Sequence, residues 1–357
     1  MENRRAATGR LSRRADEGAF FLAANLNVLN LRGHLRGEFV GRRDPSGGAA
    51  VFYVEGGYGS PVLDPGKDLP YCGFRYPDDV RWEDERAFQT FHALSHPFSP
   101  WLDAAIRKRT LLAPIDVRES VGLEIGPLIS PVVTKAEGRV YYADHLPTEE
   151  LVAKYAHDPN VDASRIVPVD FVWGDRPLRQ AVPAGLSFDY AVASHVIEHV
   201  PDLIGWLNEL ADVLKDGGVV SLAVPDKRYT FDYFRQVSTL GDCVDAHFRR
   251  LRRPGPKAIV DHCAYAADID VFRAWLDGFD ASDAARHHRP EDGLHFARES
   301  VEQGKYVDVH CWIFTFHSFL HLIGELRRLG LIRFDVLECR EPLRYSNEFF
   351  VVLRRAG

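Results

Sequence analysis

Short apolar runs alternate with amphipathic stretches along residues 121–224. The first run, Val121 to Ile125, predicts a buried strand that Gly126 breaks at once. Further strands are predicted at RVYYADH, RIVPVDFV, SFDYAVASH and GVVSLAVPD. Strands that alternate with helices in this order are typical of a parallel sheet covered by helices on both faces. The pattern therefore predicts an α/β fold.

Helical spacing is clearest in the segment PDLIGWLNELADVLKDGG, whose leucines line one face. We expect Pro201 in the first turn of this helix and Gly217 just after its end. TEELVAKYAHD predicts a second amphipathic helix, with Glu149 and Glu150 in the first turn, where the helix dipole favours acids. The chain closes with a predicted helix and two strands, TFHSFLHLIGELRRLG, LIRFDVLECR and NEFFVVLRR.

The leading third has a different character and predicts a separate layer. We expect residues 1–117 to form an N-terminal arm with a helical and loop layer, a possible lid or dimer contact. Residues 118–357 would form the main domain, with an insert at about 226–312. The elements predicted in the leading part are a mobile arm (1–17), a helix (18–35), a short strand at VFYVEG and two helices (82–112).

Composition is that of a soluble globular protein, with 357 residues, 46% apolar and 27% charged. The sequence has no apolar run long enough to cross a membrane and no apolar signal-peptide core. A net charge of −7 argues against nucleic acid as the main partner. The cysteines are odd in number and scattered without a C-x-x-C pair, which favours reduced thiols in the cytoplasm. They are Cys72, Cys243, Cys263, Cys311 and Cys339.

Residues 121–224 and the closing elements resemble a class I S-adenosylmethionine-dependent methyltransferase of the broad type-11 kind. The matching pieces are LEIG, YYADH, VDF, FDYAVASHVIEHVPD, LKDGGVVSLAVPDKRYTFD and FHSFLHLIGELRRLGLIRFDVLE. The resemblance implies a doubly wound, Rossmann-like sheet of seven strands in the order 3-2-1-4-5-7-6. It also implies S-adenosyl-L-methionine as cofactor and a small-molecule acceptor, with oxygen as the expected methylated atom.

The glycine loop departs from the acid-x-G-x-G-x-G pattern of that family. Glu124 and Gly126 are kept, but Pro127 and Leu128 follow. Because proline has no N–H, this loop offers fewer backbone donors to a ligand. The resemblance still implies that Glu124, Gly126 and Pro127 lie against the cofactor.

Further cofactor contacts are implied at the ends of the next strands. Asp144 would accept hydrogen bonds from the ribose hydroxyls, or else cap the helix that follows. His145 would line the same pocket. Asp170 would face the adenine amino group, with Phe171 packed on the ring, unless Asp170 is only a surface acid. Ser194 would lie near the methionine part of the cofactor.

His195 is the candidate catalytic base, because imidazole titrates near neutral pH; the alternative is a histidine that only packs or bonds to backbone. His195, Glu198 and His199 also spell H-x-x-E-H, a zinc-peptidase pattern. That pattern needs a continuous helix, which Pro201 disfavours. A metal in a methyltransferase is the other alternative, because ubiquinone-biosynthesis O-methyltransferases resemble this segment, with E-x-x-E-H where this chain has H-x-x-E-H. We assign no metal here.

The predicted insert offers substrate candidates in PDKRYTFD, residues 225–232, and in His262, His287, His288 and His310. HFRRLRRPGPK, residues 247–257, is basic and could meet an anionic substrate or form a solvated face. The His-Cys pairs of this region lack zinc-like spacing.

Two other functions stay open on the residues alone. One is a non-catalytic binding or partner protein with the same fold, which Pro127 motivates. The other is a nicotinamide-dependent oxidoreductase, although EIGPLIS lacks a full G-x-G-x-x-G. The expected partners are a small molecule and, as an open alternative, a second copy of the chain in a homodimer; we expect no nucleic acid and no membrane.

Overall fold

The computed structural model describes three short N-terminal segments and most of the remaining chain. They are Ala19–Phe20, Glu38–Arg43, Ala50–Glu55 and residues 107–357 apart from 160, 175, 276–278 and 344–345. The chain divides into two compact units, Met1–Thr110 with Leu343–Tyr345 and Leu111–Pro342 with Ser346–Gly357. The proposed domain boundary at residue 117 stays a prediction.

The described strands of the first unit form an antiparallel sheet. β1 (Ala19–Phe20) pairs with β2 (Glu38–Arg43), which pairs with β3 (Ala50–Glu55). The predicted strand at VFYVEG is confirmed by β3. The helix predicted from residue 18 is wrong at β1, where pairing with β2 satisfies the backbone instead. The predicted arm and the predicted helices before residue 107 lie outside the described residues.

A mixed sheet of seven strands forms the centre of the second unit. Across the sheet the order is β6-β5-β4-β7-β8-β10-β9, and β10 runs antiparallel to both of its neighbours. Counted from β4 as first, this is 3-2-1-4-5-7-6, so the predicted order and fold class are confirmed. The strands are β4 (Val121–Ile125), β5 (Arg139–Asp144), β6 (Phe171–Val172), β7 (Phe188–Ser194), β8 (Leu214–Pro225), β9 (Phe334–Arg340) and β10 (Glu348–Arg355).

Strand β7 shows why the middle of the sheet is apolar throughout. Ala191 and Ala193 belong to the larger hydrophobic cluster, whereas Tyr190 and Val192 belong to a second cluster. Successive side chains of a strand point to opposite faces, so a strand covered on both faces reads as an unbroken apolar run.

Helices cover the sheet and build the predicted insert. Within the insert, α5 and α7 pack on each other. None of the described helices is long and apolar enough to cross a membrane. The helices are α1 (Thr148–Tyr155), α2 (Leu178–Ala181), α3 (Leu203–Val213), α4 (Leu240–Phe248), α5 (Pro256–Tyr265), α6 (Val271–Ala274), α7 (Pro290–Gln303) and α8 (Phe316–Arg328).

Both predicted ends of α3 are wrong. Asp202 is the N-cap and accepts a hydrogen bond from the Gly205 N–H at 2.8 Å, so Pro201 lies before the helix. At the other end Leu214 is already extended, with φ −81° and ψ 150°, and begins β8. Gly217 therefore lies within the strand, where its φ of +72° turns the chain.

Candidate functional site

A cavity of about 770 Å³ opens at the carboxyl ends of β4, β5 and β7. Gly126 follows β4, Asp144 ends β5 and His195 follows β7, and all three line the cavity. Strand β4 lies between β5 and β7 in the sheet. Open α/β sheets bind ligands at this edge, where the strand order reverses. We call this space the larger cavity.

The loop after β4 turns into the larger cavity through two left-handed residues. Gly126 has φ +64°, donates its N–H to the Ala143 carbonyl at 2.9 Å, and would place a Cβ 3.1 Å from Val196. Leu128 has φ +46° and lines the cavity, whereas Pro127 is buried and does not line it. The loop therefore meets the cavity through Gly126 and Leu128.

Glu124 holds this loop from behind. The residue is 2% exposed, and its two carboxylate oxygens accept hydrogen bonds from the N–H groups of Val132 (2.6 Å) and Val133 (3.0 Å). Charged acceptors make the stronger backbone hydrogen bonds. Glu124 does not line the larger cavity. Its described hydrogen bonds therefore position the loop, and its side chain does not itself face the cavity.

Asp144 and His145 lie together on the wall of the larger cavity. The Asp144 carboxylate is buried, and its Oδ1 accepts the His145 N–H at 2.7 Å and lies 2.6 Å from His145 Nδ1. The other ring nitrogen of His145 is 3.2 Å from Lys154 Nζ. These contacts fix the Asp144 side chain at the carboxyl end of β5.

Asp170 is not at the carboxyl end of its strand, and that prediction is wrong. Strand β6 contains only Phe171 and Val172, so Asp170 precedes it. The Asp170 carboxylate accepts from Lys135 Nζ and from the Tyr142 N–H, each at 2.8 Å. Neither Asp170 nor Phe171 lines the larger cavity.

A pair of stacked tryptophans lines the larger cavity near the end of β6. Trp173 follows β6, stacks on Trp206 with ring centres 5.9 Å apart and lines the larger cavity with it. Glu209 Oε2 accepts from Trp173 Nε1 at 2.9 Å and from the Leu178 N–H at 2.8 Å. Neither tryptophan is among the residues predicted from the sequence, although Trp173 comes just after VDFV, where a strand end is predicted.

His195 is held in a rare backbone conformation at the end of β7. Its φ is +52°, and its N–H donates to the Ala223 carbonyl of β8 at 3.0 Å. Its Nε2 lies 2.9 Å from a carboxylate oxygen of Glu348, which is buried. Ser194, the last residue of β7, does not line the larger cavity.

A smaller cavity of about 310 Å³ adjoins the larger one. His195 and His199 line both cavities. Tyr229, Phe231 and His310 also line the smaller cavity. Residues 197–199 form a turn, so the H-x-x-E-H segment is not helical, in contrast to a zinc peptidase.

The electrostatics of His199 are set by carboxylates. Burial lowers the pKa of His199, but the hydrogen bond to Asp308 at 2.9 Å and the charge of Glu198 outweigh burial and raise it. Burial raises the pKa of Asp308, while the same hydrogen bond and the charges of His199 and Lys154 bring it well below its usual range. Both residues line the larger cavity.

Asp226 and Arg228, both candidates from the predicted insert, bind each other. Asp226 is buried, accepts from the Phe316 N–H at 3.0 Å and is bound by the Arg228 guanidinium at 2.9 and 2.8 Å. From the basic run, Arg252 and Arg253 line the larger cavity. His262 and His288 line neither cavity.

Residues 102–265 match a family model described as a methyltransferase domain. No curated protein matches the chain in a sequence comparison. The methyltransferase match argues against the nicotinamide-dependent alternative.

Solved structures of methyltransferases resemble the chain only distantly. The CcbJ methyltransferase from Streptomyces caelestis is 12% identical with a TM-score of 0.35, over 70% of this chain and 94% of that one. The magnesium protoporphyrin IX methyltransferase from Synechocystis PCC 6803 with bound SAH is 12% identical with a TM-score of 0.31, over 79% and 90%. At these values the likenesses say nothing about substrate.

Proposed function

Since the chain carries a class I S-adenosylmethionine-dependent methyltransferase domain, we propose that it methylates an oxygen atom of a small-molecule acceptor. The observation that carries the proposal is the position of His195, which lines both the larger and the smaller cavity. The larger cavity would hold the cofactor and the smaller one the acceptor. His195 would then lie where the two reactants meet.

The residues of the larger cavity fit S-adenosylmethionine, which supplies a methyl group on a positively charged sulfur. Both described hydrogen bonds of the Asp144 carboxylate involve Oδ1, which leaves Oδ2 for the ribose hydroxyls. Trp173 and Trp206 offer aromatic surface to an adenine ring. Gly126 provides close backbone approach beside the end of β4.

His195 would act as the base that takes the acceptor proton. The Glu348 carboxylate 2.9 Å from Nε2 favours the tautomer with the proton on Nε2, so that Nδ1 accepts. As the acceptor oxygen bonds to the methyl carbon, the carbon–sulfur bond breaks and its electron pair stays on sulfur. The hydroxyl proton passes to His195. General-base catalysis of this kind contributes roughly 10²–10⁴-fold in rate.

The smaller cavity supports a planar acceptor. Tyr229 and Phe231 line it, and the Tyr229 ring is itself held by stacking on Trp275, with ring centres 4.0 Å apart. Stacking on a fixed aromatic ring orients a flat molecule and leaves its other substituents unrestricted.

Calorimetry with S-adenosylhomocysteine tests the cofactor part. The wild type should bind, and Asp144→Asn should weaken binding by roughly tenfold or more, because a hydrogen bond to a charged group contributes about 1.5–3 kcal/mol. The matched control is Asp216→Asn, since Asp216 is 82% exposed and lines neither cavity. No binding by the wild type, or equal affinity in Asp144→Asn, would contradict the proposal.

Transfer of a labelled methyl group to a panel of hydroxylated aromatic compounds tests the catalytic part. We expect His195→Asn to lower kcat by about 10²-fold or more, and Glu348→Gln to lower it less, since Glu348 acts through His195. Undiminished turnover by His195→Asn would remove the base from the proposal.

A further inference from the structure

Glu198 is a carboxylate enclosed by protein. Its residue is 0% exposed, and among the described residues neither side-chain oxygen has a hydrogen-bond partner. Buried carboxylates are ordinarily hydrogen-bonded, paired or bound to a metal ion, because the loss of water around a charge is costly. The surroundings of Glu198 therefore call for a positively charged partner.

Three imidazole nitrogens surround one oxygen of Glu198. Glu198 Oε1 lies 3.6 Å from His195 Nδ1, 4.0 Å from His199 Nε2 and 4.0 Å from His310 Nε2. These separations are too long for hydrogen bonds. Two ligand atoms of a tetrahedral ion, each about 2.1 Å from it, lie roughly 3.4 Å apart. The gap between these side chains is therefore close to that needed for one ion.

The remaining ring nitrogens of two histidines are held by carboxylates. His199 Nδ1 lies 2.9 Å from Asp308 Oδ1, and His310 Nδ1 lies 2.5 Å from Asp232 Oδ2. Asp232 is fixed in turn by buried Arg235, at 2.9 Å. Carboxylates at these distances favour the tautomers with the proton on Nδ1, which leave the Nε2 lone pairs on the side of Glu198. Metal-binding histidines are oriented in this way by outer carboxylates.

We propose that Glu198, His199 and His310 bind one divalent first-row transition-metal ion, with Zn²⁺ the best fit. One ligand atom from each of the three residues lies within 4.8 Å of the others. Two imidazoles and one carboxylate are a ligand set of catalytic zinc sites, which keep a further position for water or substrate. Mg²⁺ and Ca²⁺ prefer oxygen ligands and fit this set less well.

The ion would lie beside the proposed acceptor space, because His199 lines both cavities and His310 lines the smaller one. If the proposed function holds, on which this step rests, the open position would bind the acceptor oxygen and lower the pKa of its hydroxyl. His195 would then take the proton from a hydroxyl that is already more acidic. An acceptor with two adjacent oxygen atoms fits such a site better than one with a single hydroxyl.

Zn²⁺ titration of the metal-stripped full-length protein, in competition with a chromogenic chelator, tests the site directly. The wild type should bind one Zn²⁺ per chain. Asp232→Asn and Asp308→Asn should weaken binding by roughly 10–100-fold, the range for outer carboxylates, and Glu198→Gln by more. The matched control is His287→Ala, since His287 also lines the smaller cavity but bonds to Asp268. Its Zn²⁺ affinity should equal that of the wild type.

Co²⁺ gives a second readout through the visible absorption of a four-coordinate ion, which Glu198→Gln should abolish. Thermal melting, measured on each variant, shows whether the fold is kept. The proposal is overturned if the wild type binds none of Zn²⁺, Co²⁺ or Mn²⁺ at millimolar concentration, or if Glu198→Gln binds Zn²⁺ as tightly as the wild type. Absence of methyl transfer with intact Zn²⁺ binding would overturn the function and support the metal site.

Discussion

Replacement of Glu124 by glutamine is expected to destabilise the loop that follows β4. In the wild type both carboxylate oxygens are used, one by the Val132 N–H and the other by the Val133 N–H. Glutamine keeps one acceptor oxygen and turns an NH₂ group toward the second backbone N–H. The glutamine NH₂ and this backbone N–H are both donors and cannot bond to each other. One buried backbone N–H therefore loses its acceptor.

The magnitude follows from these two bonds. A hydrogen bond to a charged group contributes about 1.5–3 kcal/mol, and a buried donor left unpaired costs about 1–3 kcal/mol. We therefore expect Glu124→Gln to lower the free energy of unfolding by about 2–3 kcal/mol. For a unit of this size, 1 kcal/mol corresponds to about 2–4 °C in Tm, so Tm should fall by roughly 5–10 °C.

Thermal melting of the two proteins measures the effect. The matched control is Glu137→Gln, which makes the same charge change on an exposed residue of the same loop that bonds to the Thr134 N–H at 2.9 Å. The control should change stability by about 0.5 kcal/mol or less. If Glu124→Gln has the same Tm as Glu137→Gln, the Val132 and Val133 N–H groups have other acceptors and Glu124 does not hold the loop.

Other predictions concern Tyr190 and its surroundings. Tyr190→Phe should keep or raise Tm, because the buried hydroxyl has no partner among the described residues, and a clear fall in Tm would contradict this. Burial and the charge of Glu124 raise the pKa of Tyr190 from 10.0 to about 12, so the folded state keeps a proton that the unfolded state loses. Stability should therefore fall as pH rises from about 10 through 12, and the part due to this residue should vanish in Tyr190→Phe. Gly122→Ala should destabilise by about 1–3 kcal/mol in urea unfolding, because the new Cβ would lie 2.1 Å from Tyr190 Cζ; an unchanged midpoint would show that the ring moves aside.

The sheet could be predicted from sequence because each strand has its own apolar run and its own break. Asp144 and His195 could be placed at the carboxyl edge of the sheet for the same reason, since each comes at the end of a clear apolar run, and both line the larger cavity. Asp170 was misplaced because VPVDFV is apolar on both sides of the acid, and sequence does not show where pairing with β5 begins. Trp173 was missed as a consequence of that error.

The cluster around Glu198 could not be predicted from spacing. His199 is its neighbour in sequence, but His310 is more than a hundred residues away, and the orienting carboxylates, Asp232 and Asp308, come from still other segments. Only the folded chain brings them to one oxygen. The sequence contains H-x-x-E-H, but it does not show that His310, Asp232 and Asp308 lie beside this segment.

A crystal structure with S-adenosylhomocysteine would decide where the cofactor binds. We expect the ligand in the larger cavity, with its ribose hydroxyls within hydrogen-bond distance of Asp144 and its sulfur facing His195. A ligand bound elsewhere on the chain, with Asp144 and His195 out of its reach, would exclude the larger cavity as the cofactor site.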